Sequence, residues 1–399
     1  MDSEGRAALR TLAGGIIILA VAIGISRFAY TPLLPLMQRD IGFGDDFAGL
    51  LASANYAGYL AGALWAAWTS KRSRRLARLR MHLALTIAST LGMGLTLHPG
   101  TWMALRFLSG ATSALVFVLA SGIVLEALAD RRRASWSGWL YSGVGAGIAL
   151  SAVLVPALGE LGGWRYGWLG LGSVSMILAL AAWRMVPGEP LNVRANAIKQ
   201  SSVTPGSTDM LPWLTLAYGF EGLGYIVTGT FLVSWLQRSS DLSYVGFLAW
   251  LVVGLAAIPS CVLWMRTGLR LGLTRTLILA HLVQAVGILI PLFAPSVWGA
   301  LAGGVFFGGT FLGITALTLV LGRTLAPERS DWVISILTAA FSAGQMLGPV
   351  IAGTLADHTR SFTLPLSGAA AIVALGALFL IIGLVRTRGA VARPVRTKP

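Results

Sequence analysis

Stretches of about 20 apolar residues recur along almost the whole chain and are separated by short polar segments. A helix needs roughly 20 such residues to cross about 30 Å of hydrocarbon at about 1.5 Å per residue. Twelve segments meet this requirement, and we number them as spans 1 to 12: 12–37, 47–69, 81–97, 101–127, 138–158, 166–186, 212–236, 243–265, 275–293, 297–321, 332–355 and 362–385. The sequence therefore predicts an all-α membrane protein with 12 transmembrane helices.

Composition excludes a water-soluble chain, because 56% of residues are hydrophobic and only 11% are charged, whereas soluble domains carry roughly 25% charged residues. The net charge of +15 also suits a nucleic-acid partner, so the placement of the basic residues matters. Of 30 basic residues, 24 lie on one side of the predicted membrane, four on the other and two within spans. Basic residues of short loops stay in the cytoplasm. This split predicts cytoplasmic N- and C-termini and no nucleic-acid partner.

The chain contains one long polar linker, residues 187–211, which is rich in Pro, Ser, Thr and Asn and lacks an apolar period. Such a composition favours a flexible connection between folded units. We therefore predict an N-terminal six-helix bundle at 1–186, a cytoplasmic linker at 187–211 and a C-terminal six-helix bundle with a basic tail at 212–399.

The two predicted bundles have weakly similar sequences. The stretch from Thr31 to Arg39 matches the stretch from Thr230 to Arg238, 199 residues later, and residues 128–136 match 325–332. Six spans return the chain to the side on which it started, so equivalent helices run parallel. Many transporters are built from repeats with the substrate between them, and the repeat favours that class.

Four stretches resemble one known family. They read GISRFAYTPLLPLM from Gly24, LLASANYAGYLAG from Leu50, GLGYIVTGTFL from Gly222 and GQMLGPVIAG from Gly344. With these the chain resembles the major facilitator superfamily (MFS), and within it the YbfB/YjiJ-like group of bacterial transporters. The chain departs from the superfamily at residues 66–72, where the basic cluster after span 2 is present but the usual acidic residue is missing.

The resemblance implies the MFS fold, with two six-helix pseudo-repeat bundles around a central cavity. It also implies a secondary active transporter of the bacterial inner membrane that moves a small organic solute by alternating access, as a functional monomer driven by a proton or other ion gradient.

Three charged residues lie inside predicted spans: Arg27, Arg106 and Glu221. A charge near the bilayer centre costs between about 2.5 and more than 10 kcal/mol, so it needs a partner, water or a function. These residues belong to spans 1, 4 and 7, which line the cavity of the family it resembles. We predict that both arginines bind substrate, because a guanidinium holds a carboxylate in a fork, and that Glu221 is the proton-coupling site. In the alternative, Arg106 snorkels to the membrane surface, and Arg27 and Glu221 form a static ion pair.

Polar residues at helical spacing accompany these charges. We add Tyr30, Asn55, Tyr59, Tyr225 and Gln345 to the predicted substrate-binding residues; each also suits a hydrogen bond between helices. His281 and Gln284 on span 9 are interpreted as a structural pair.

Other function classes receive little support. The chain contains neither the P-loop pattern G-x-x-x-x-G-K-[ST] nor H-E-x-x-H, so we predict no cofactor, no metal and no enzyme activity. Two arginines against one glutamate favour an anionic metabolite as substrate. Drug efflux is the main alternative, favoured by four aromatic residues that we expect near the cavity: Trp65, Phe117, Trp250 and Phe306. A channel or a membrane receptor is a further alternative.

Overall fold

The computed structural model describes residues 3–68, 74–186, 208–239 and 244–391. Its long helices are α1 (Ser3–Leu19), α2 (Tyr30–Ile41), α3 (Asp45–Trp68), α4 (Arg75–Leu95), α5 (Pro99–Asp130), α6 (Ser142–Ala182), α7 (Leu211–Ser239), α8 (Val245–Leu271), α9 (Leu273–Phe293), α10 (Val297–Leu325), α11 (Ser330–Thr359) and α12 (Thr363–Val391). Short 3₁₀ segments lie at Ala134–Tyr141, Thr208–Met210 and Pro327–Arg329. Within these ranges there is no strand, and the predicted all-α class is confirmed.

The helices follow the predicted spans in order. Span 1 is divided between α1 and α2, α6 contains spans 5 and 6, and each other helix corresponds to one span. Nine stretches of the described chain are long and apolar enough to cross a membrane, and α6 counts once among them. The other two helices, α3 and α4, are less apolar. Helix α3 contains Asn55, Tyr56 and Tyr59, and α4 begins with arginines at 75, 78 and 80.

Span 1 is not the continuous helix that the sequence predicts. Residues Ala20–Ile25 form a π-helix, a turn follows, and α2 begins at Tyr30. Pro32 contributes to the break, because it has no N–H to donate to the carbonyl of Phe28 in the turn before α2, whereas Pro35 lies within α2. Wider π turns inside helices are frequent at functional sites, and this break carries Arg27.

The long helix α6 folds back on itself between spans 5 and 6. Gly163 has φ +67° and ψ −159°, a backbone conformation that favours glycine. A Cβ on Gly170 would lie 2.6 Å from the side chain of Leu158, although these residues would be about 18 Å apart in a straight helix. The reversal lies where the sequence predicts the gap between the two spans.

Large apolar side chains cover the outside of the helical body. Leucine, isoleucine and valine are exposed on both halves of the chain, including Leu161, Ile177, Leu180, Leu263, Val286, Leu347 and Leu378. A water-soluble surface does not carry so many large apolar groups, whereas lipid tails solvate them. The exposed surface therefore fits the interior of a bilayer.

The two sequence halves pack against each other through equivalent helices. Helix α3 packs against α11, and α6 packs against α8. Spans 2 and 5 are the repeat counterparts of spans 8 and 11, so these two contacts are related by the repeat. Helix α2 also packs against α7. The two pseudo-repeat bundles of the fold are thus present, while residues 187–207 of the predicted linker lie outside the described residues.

Candidate functional site

The guanidinium of Arg27 lies in a cage of aromatic rings at the break in span 1. Its Cζ atom is 4.4 Å from the ring centre of Tyr59, 4.7 Å from that of Tyr56 and 5.5 Å from that of Phe28. Arg27 is 5% exposed, and its Nε and Nη2 atoms have no hydrogen-bond partner among the described residues. Aromatic faces attract a cation without occupying its N–H groups. Arg27 is therefore held in place with donors available to another group.

The second arginine, Arg106 of α5, stabilises the break in span 1. Its Nη1 donates to the carbonyl of Ser26 at 3.3 Å and its Nη2 to the carbonyl of Arg27 at 3.5 Å. Its Cζ atom is 4.7 Å from the Tyr30 ring centre, and the Asn55 amide donates to its carbonyl at 2.9 Å. Arg106 is 1% exposed. Arg106 therefore does not snorkel to the membrane surface. It lies at this turn of backbone with Tyr30 and Asn55, which the sequence also predicts to bind substrate.

The opposite wall of the site comes from the C-terminal half. Gln345 of α11 donates a hydrogen bond to the hydroxyl of Tyr225 on α7, and its Oε1 atom has no partner among the described residues. The Tyr225 ring is stacked on two phenylalanines, with centroids 5.5 Å from Phe341 and 5.9 Å from Phe311. Tyr225 and Gln345, which the sequence predicts to bind substrate, thus lie together.

Phe28 connects the two walls. Its ring centroid is 6.0 Å from that of Phe311 and 6.3 Å from that of Trp250, both in the C-terminal half. Arg27 and Tyr225 therefore lie on opposite sides of one site between the halves, and Phe311 is shared by their surroundings.

Glu221 lies apart from this site. It is fully buried within the C-terminal half. Its Oε1 atom accepts a hydrogen bond from Gln284 at 2.7 Å, and its Oε2 atom is 4.0 Å from Nε2 of His281, both on α9. In the described part of the chain it forms no ion pair with Arg27, so the static pair considered as an alternative is not formed.

The four predicted aromatic residues have different surroundings. Trp250 is buried beside Phe28, and Phe117 packs on Tyr141. Phe306 lies against α9 and is partly exposed, and Trp65 is largely exposed. Sequence reasoning missed Tyr56, Phe28 and Phe311 as parts of the site. Tyr56 could have been found, because it precedes Tyr59 by three residues and so shares its helix face.

A network of four polar residues joins the halves at the end opposite the termini; we name Gln38, Asp45, Arg238 and Asp357 the far-end latch. Arg238 donates to both carboxylate oxygens of Asp45, at 2.7 and 2.9 Å. Gln38 donates to Asp45 at 2.7 Å and accepts from Arg238 at 3.0 Å. The Asp357 carboxylate accepts from the backbone N–H of Asp45 at 3.1 Å.

The latch joins the two halves at this end because it supplies hydrogen-bond partners to backbone N–H groups at the start of α3. Asp45 begins α3, and the first N–H groups of a helix have no partner within the helix. Asp357 reaches them from α11, where its negative charge also favours the helix N-terminus. In the described conformation the two halves are therefore joined at the far end.

Replacing Arg238 with alanine is expected to loosen the latch. Loss of a forked, charge-assisted interaction with the largely buried Asp45 is worth roughly 1.5 kcal/mol, or about a tenfold change in an equilibrium. We expect maleimide to label Ser234→Cys, one turn below the latch, about tenfold faster in Arg238→Ala.

Arg39→Ala is the matched control, because Arg39 is the repeat counterpart of Arg238 but is 65% exposed and pairs only with the adjacent Asp40 among the described residues. Equal labelling of both variants would show that the latch does not close the far end. Native Cys261 is buried on α8 and gives the background rate.

Comparison with known proteins supports the architecture. The chain matches the family described as "Uncharacterised MFS-type transporter YbfB" over residues 19–381. It is 29% identical to the uncharacterized MFS-type transporter YceJ of Bacillus subtilis, over 85% of this chain and 88% of that protein. It is 33% identical to the vacuolar basic amino acid transporter 5 of Saccharomyces cerevisiae over 40% of this chain, which is 28% of that longer protein.

Two solved structures have a similar fold. One is a bacterial homologue of the human lysosomal transporter Spinster, in an inward-facing, unoccupied conformation, with a TM-score of 0.66, 15% identity and 98% of each chain covered. The other is a point mutant of the nucleoside transporter NupG, with a TM-score of 0.66, 11% identity and 95% and 99% of the two chains covered. The helices, the paired halves and the match over residues 19–381 place this chain in the YbfB family of MFS-type transporters.

Proposed function

We propose that this transporter moves a small anionic organic solute across the bacterial inner membrane by alternating access, coupled to protons, with both termini in the cytoplasm. Arg27 carries this proposal. It is a permanent cation between the two halves, and two of its guanidinium nitrogens, Nε and Nη2, have no hydrogen-bond partner among the described residues. No carboxylate of the described residues forms an ion pair with it. A carboxylate is the group that two adjacent guanidinium N–H donors bind best.

The far-end latch supports alternating access. A carrier needs a seal on one side that opens when the other closes, and the latch is built from side-chain contacts that separate without unfolding a helix. With the termini in the cytoplasm, the latch faces the periplasm. The described conformation is then the one that is closed to the outside.

Efflux of flat apolar compounds is the second candidate. The nearly parallel rings of Tyr218, Phe341, Tyr225 and Phe311 support it, with interplanar angles of 15°, 11° and 8° between successive rings. Such a series of rings offers apolar faces to an aromatic ligand.

A thermal-shift screen of the purified protein against organic anions and hydrophobic antimicrobials separates the two candidates. A transporter of anions is stabilised by carboxylates according to their affinity, whereas an efflux pump is stabilised by the hydrophobic antimicrobials. Saturable counterflow of the stabilising compound in liposomes then tests carriage itself, because a channel shows no counterflow.

Proton coupling gives a separate prediction for Glu221→Gln. The amide keeps the shape of the side chain but cannot bind or release a proton, so we expect loss of uptake driven by a pH gradient. Exchange of labelled for unlabelled solute at equal pH needs no net proton movement and should continue. The measurement uses whichever carboxylate the screen identifies, and an unchanged pH dependence would rule out Glu221 as the coupling site.

A further inference from the structure

Three polar side chains meet inside the C-terminal half, away from the Arg27 site. Glu221 of α7 and His281 and Gln284 of α9 are each fully buried. Gly376 of α12 covers the imidazole, because a Cβ there would lie 3.1 Å from His281 Cδ2. The cluster is enclosed by three helices of one half.

Hydrogen-bond partners fix where the imidazole carries its hydrogen. His281 Nδ1 is 2.8 Å from the carbonyl oxygen of Leu277. A carbonyl oxygen only accepts hydrogen bonds, so Nδ1 must be the donor. In a neutral imidazole the other nitrogen, Nε2, then carries a lone pair and no hydrogen.

The lone pair of His281 faces a second acceptor. Nε2 is 4.0 Å from Oε2 of Glu221, and neither atom forms a hydrogen bond of normal geometry among the described residues. The backbone carbonyl of Ala217 on α7 also faces the imidazole. The other Glu221 oxygen is already satisfied by Gln284 at 2.7 Å. At 4.0 Å the two facing acceptors are too far apart for a hydrogen bond. One proton on Oε2 would replace their repulsion with attraction, so the two atoms would approach to hydrogen-bond distance and both would be satisfied.

We propose that Glu221 and His281 form the proton-binding site of the transporter. One proton is bound to Oε2 of Glu221, and from there it forms a hydrogen bond to Nε2 of His281. The neutral pair avoids burying a carboxylate and an imidazolium together. In the described ranges no lysine or arginine pairs with Glu221. Two other ionisable groups lie nearby, Tyr218 and Tyr225, and both are on α7 itself. Helices α11 and α12 bring Phe341 and Gly376 to this region, neither of which ionises, and α9 brings the cluster residues.

This arrangement also assigns a route from the proton to the solute, which rests on the proposed function. Glu221 and Tyr225 are four residues apart and so share a helix face one turn apart. Tyr225 accepts from Gln345 and stacks on Phe341 in the site wall. Protonation therefore acts on the solute site through α7, and not by direct charge competition with Arg27.

Infrared absorption tests the site without any substrate. At pH 7 exposed carboxyl groups are ionised, so a protonated carboxyl band from protein purified in an ester-free detergent reports a buried acid. We expect this band in the wild type, its loss in Glu221→Gln, and its shift to higher wavenumber in His281→Phe, where the acid loses its acceptor. His281→Leu is a second variant in case the phenylalanine does not fit.

Glu160→Gln and His358→Leu are the matched controls, because both residues are exposed, and both should leave the band unchanged. A wild-type spectrum without the band, or a band that survives Glu221→Gln, overturns the proposal. A band that stays in place in both His281 variants removes His281 from the site. Since the spectrum requires neither solute nor gradient, its outcome is independent of whether transport of an anion is found.

Discussion

Replacing Gly110 with alanine is expected to lower the melting temperature of the purified protein by roughly 5–10 °C, the effect of a few kcal/mol of overpacking. A Cβ at Gly110 would lie 1.9 Å from the backbone oxygen of Asn55 and 2.8 Å from the backbone nitrogen of Tyr59. Backbone atoms cannot rotate away as a side chain does, so α3 and α5 would have to separate. That movement also disturbs the bond from Asn55 to the Arg106 carbonyl.

Gly122→Ala on the same helix is the matched control. No atom lies within 4 Å of a Cβ at that position among the described residues, and alanine favours the helix more than glycine does. We expect its melting temperature to be unchanged or slightly higher, as measured by intrinsic fluorescence during heating. Similar losses in both variants would mean that α3 and α5 are not in the close contact described.

Arg27→Gln is expected to weaken binding of a carboxylate solute by about 100-fold or more. Two charge-assisted hydrogen bonds are at stake, and each is worth about 1.5–3 kcal/mol; a factor of 100 corresponds to about 2.7 kcal/mol. Arg27→Lys should recover only part of this affinity, because an ammonium lacks the planar fork of a guanidinium. The ligand-dependent thermal shift of each purified variant, titrated with the strongest carboxylate of the screen, measures the change.

Arg39→Gln again serves as the control for removing one positive charge, since its side chain is exposed and remote from the cage. We expect its affinity for the carboxylate to equal that of the wild type. If Arg27→Gln binds the same ligand as tightly, Arg27 is not the anion site, and the efflux candidate gains support.

The sequence predicted the architecture well because hydrophobic length is a strong and local signal. Each crossing required about 20 apolar residues, and the helices have the predicted order. The break in span 1 was not predicted. Pro32 and Pro35 were the signals. The sequence does not show that Arg106, on a distant helix, donates to the carbonyls of Ser26 and Arg27 at the break.

The candidate site was predicted in part. Arg27 and Tyr59 lie together, as do Tyr225 and Gln345. The surroundings of Glu221 were not predicted, because a polar stripe shows that a helix has a polar face but not which neighbouring helix that face meets. His281 and Gln284, three residues apart on span 9, were the available signal.

The far-end latch was the hardest feature to predict. Asp45 and Asp357 lie at the ends of helices, where acidic residues ordinarily face water. Only the repeat gave a hint, since it matches Gln38 with Gln237 and Arg39 with Arg238. One glutamine and one arginine of these pairs, Gln38 and Arg238, meet on Asp45. Sequence similarity of the halves does not reveal which copy has acquired the contact.

No carboxylate among the described residues pairs with Arg27, and we expect this unbalanced charge to make the empty carrier sensitive to membrane voltage. One elementary charge that crosses a membrane potential of 100 mV changes the free energy by about 2.3 kcal/mol. When Arg27 changes from facing one side of the membrane to facing the other, its charge moves through part of the transmembrane electric field. An interior-negative cell therefore biases the empty protein toward the conformation in which Arg27 communicates with the cytoplasm. Under the proposed function a bound anion cancels this charge, so solute loading is expected to remove the bias and leave the loaded carrier free to turn against the field.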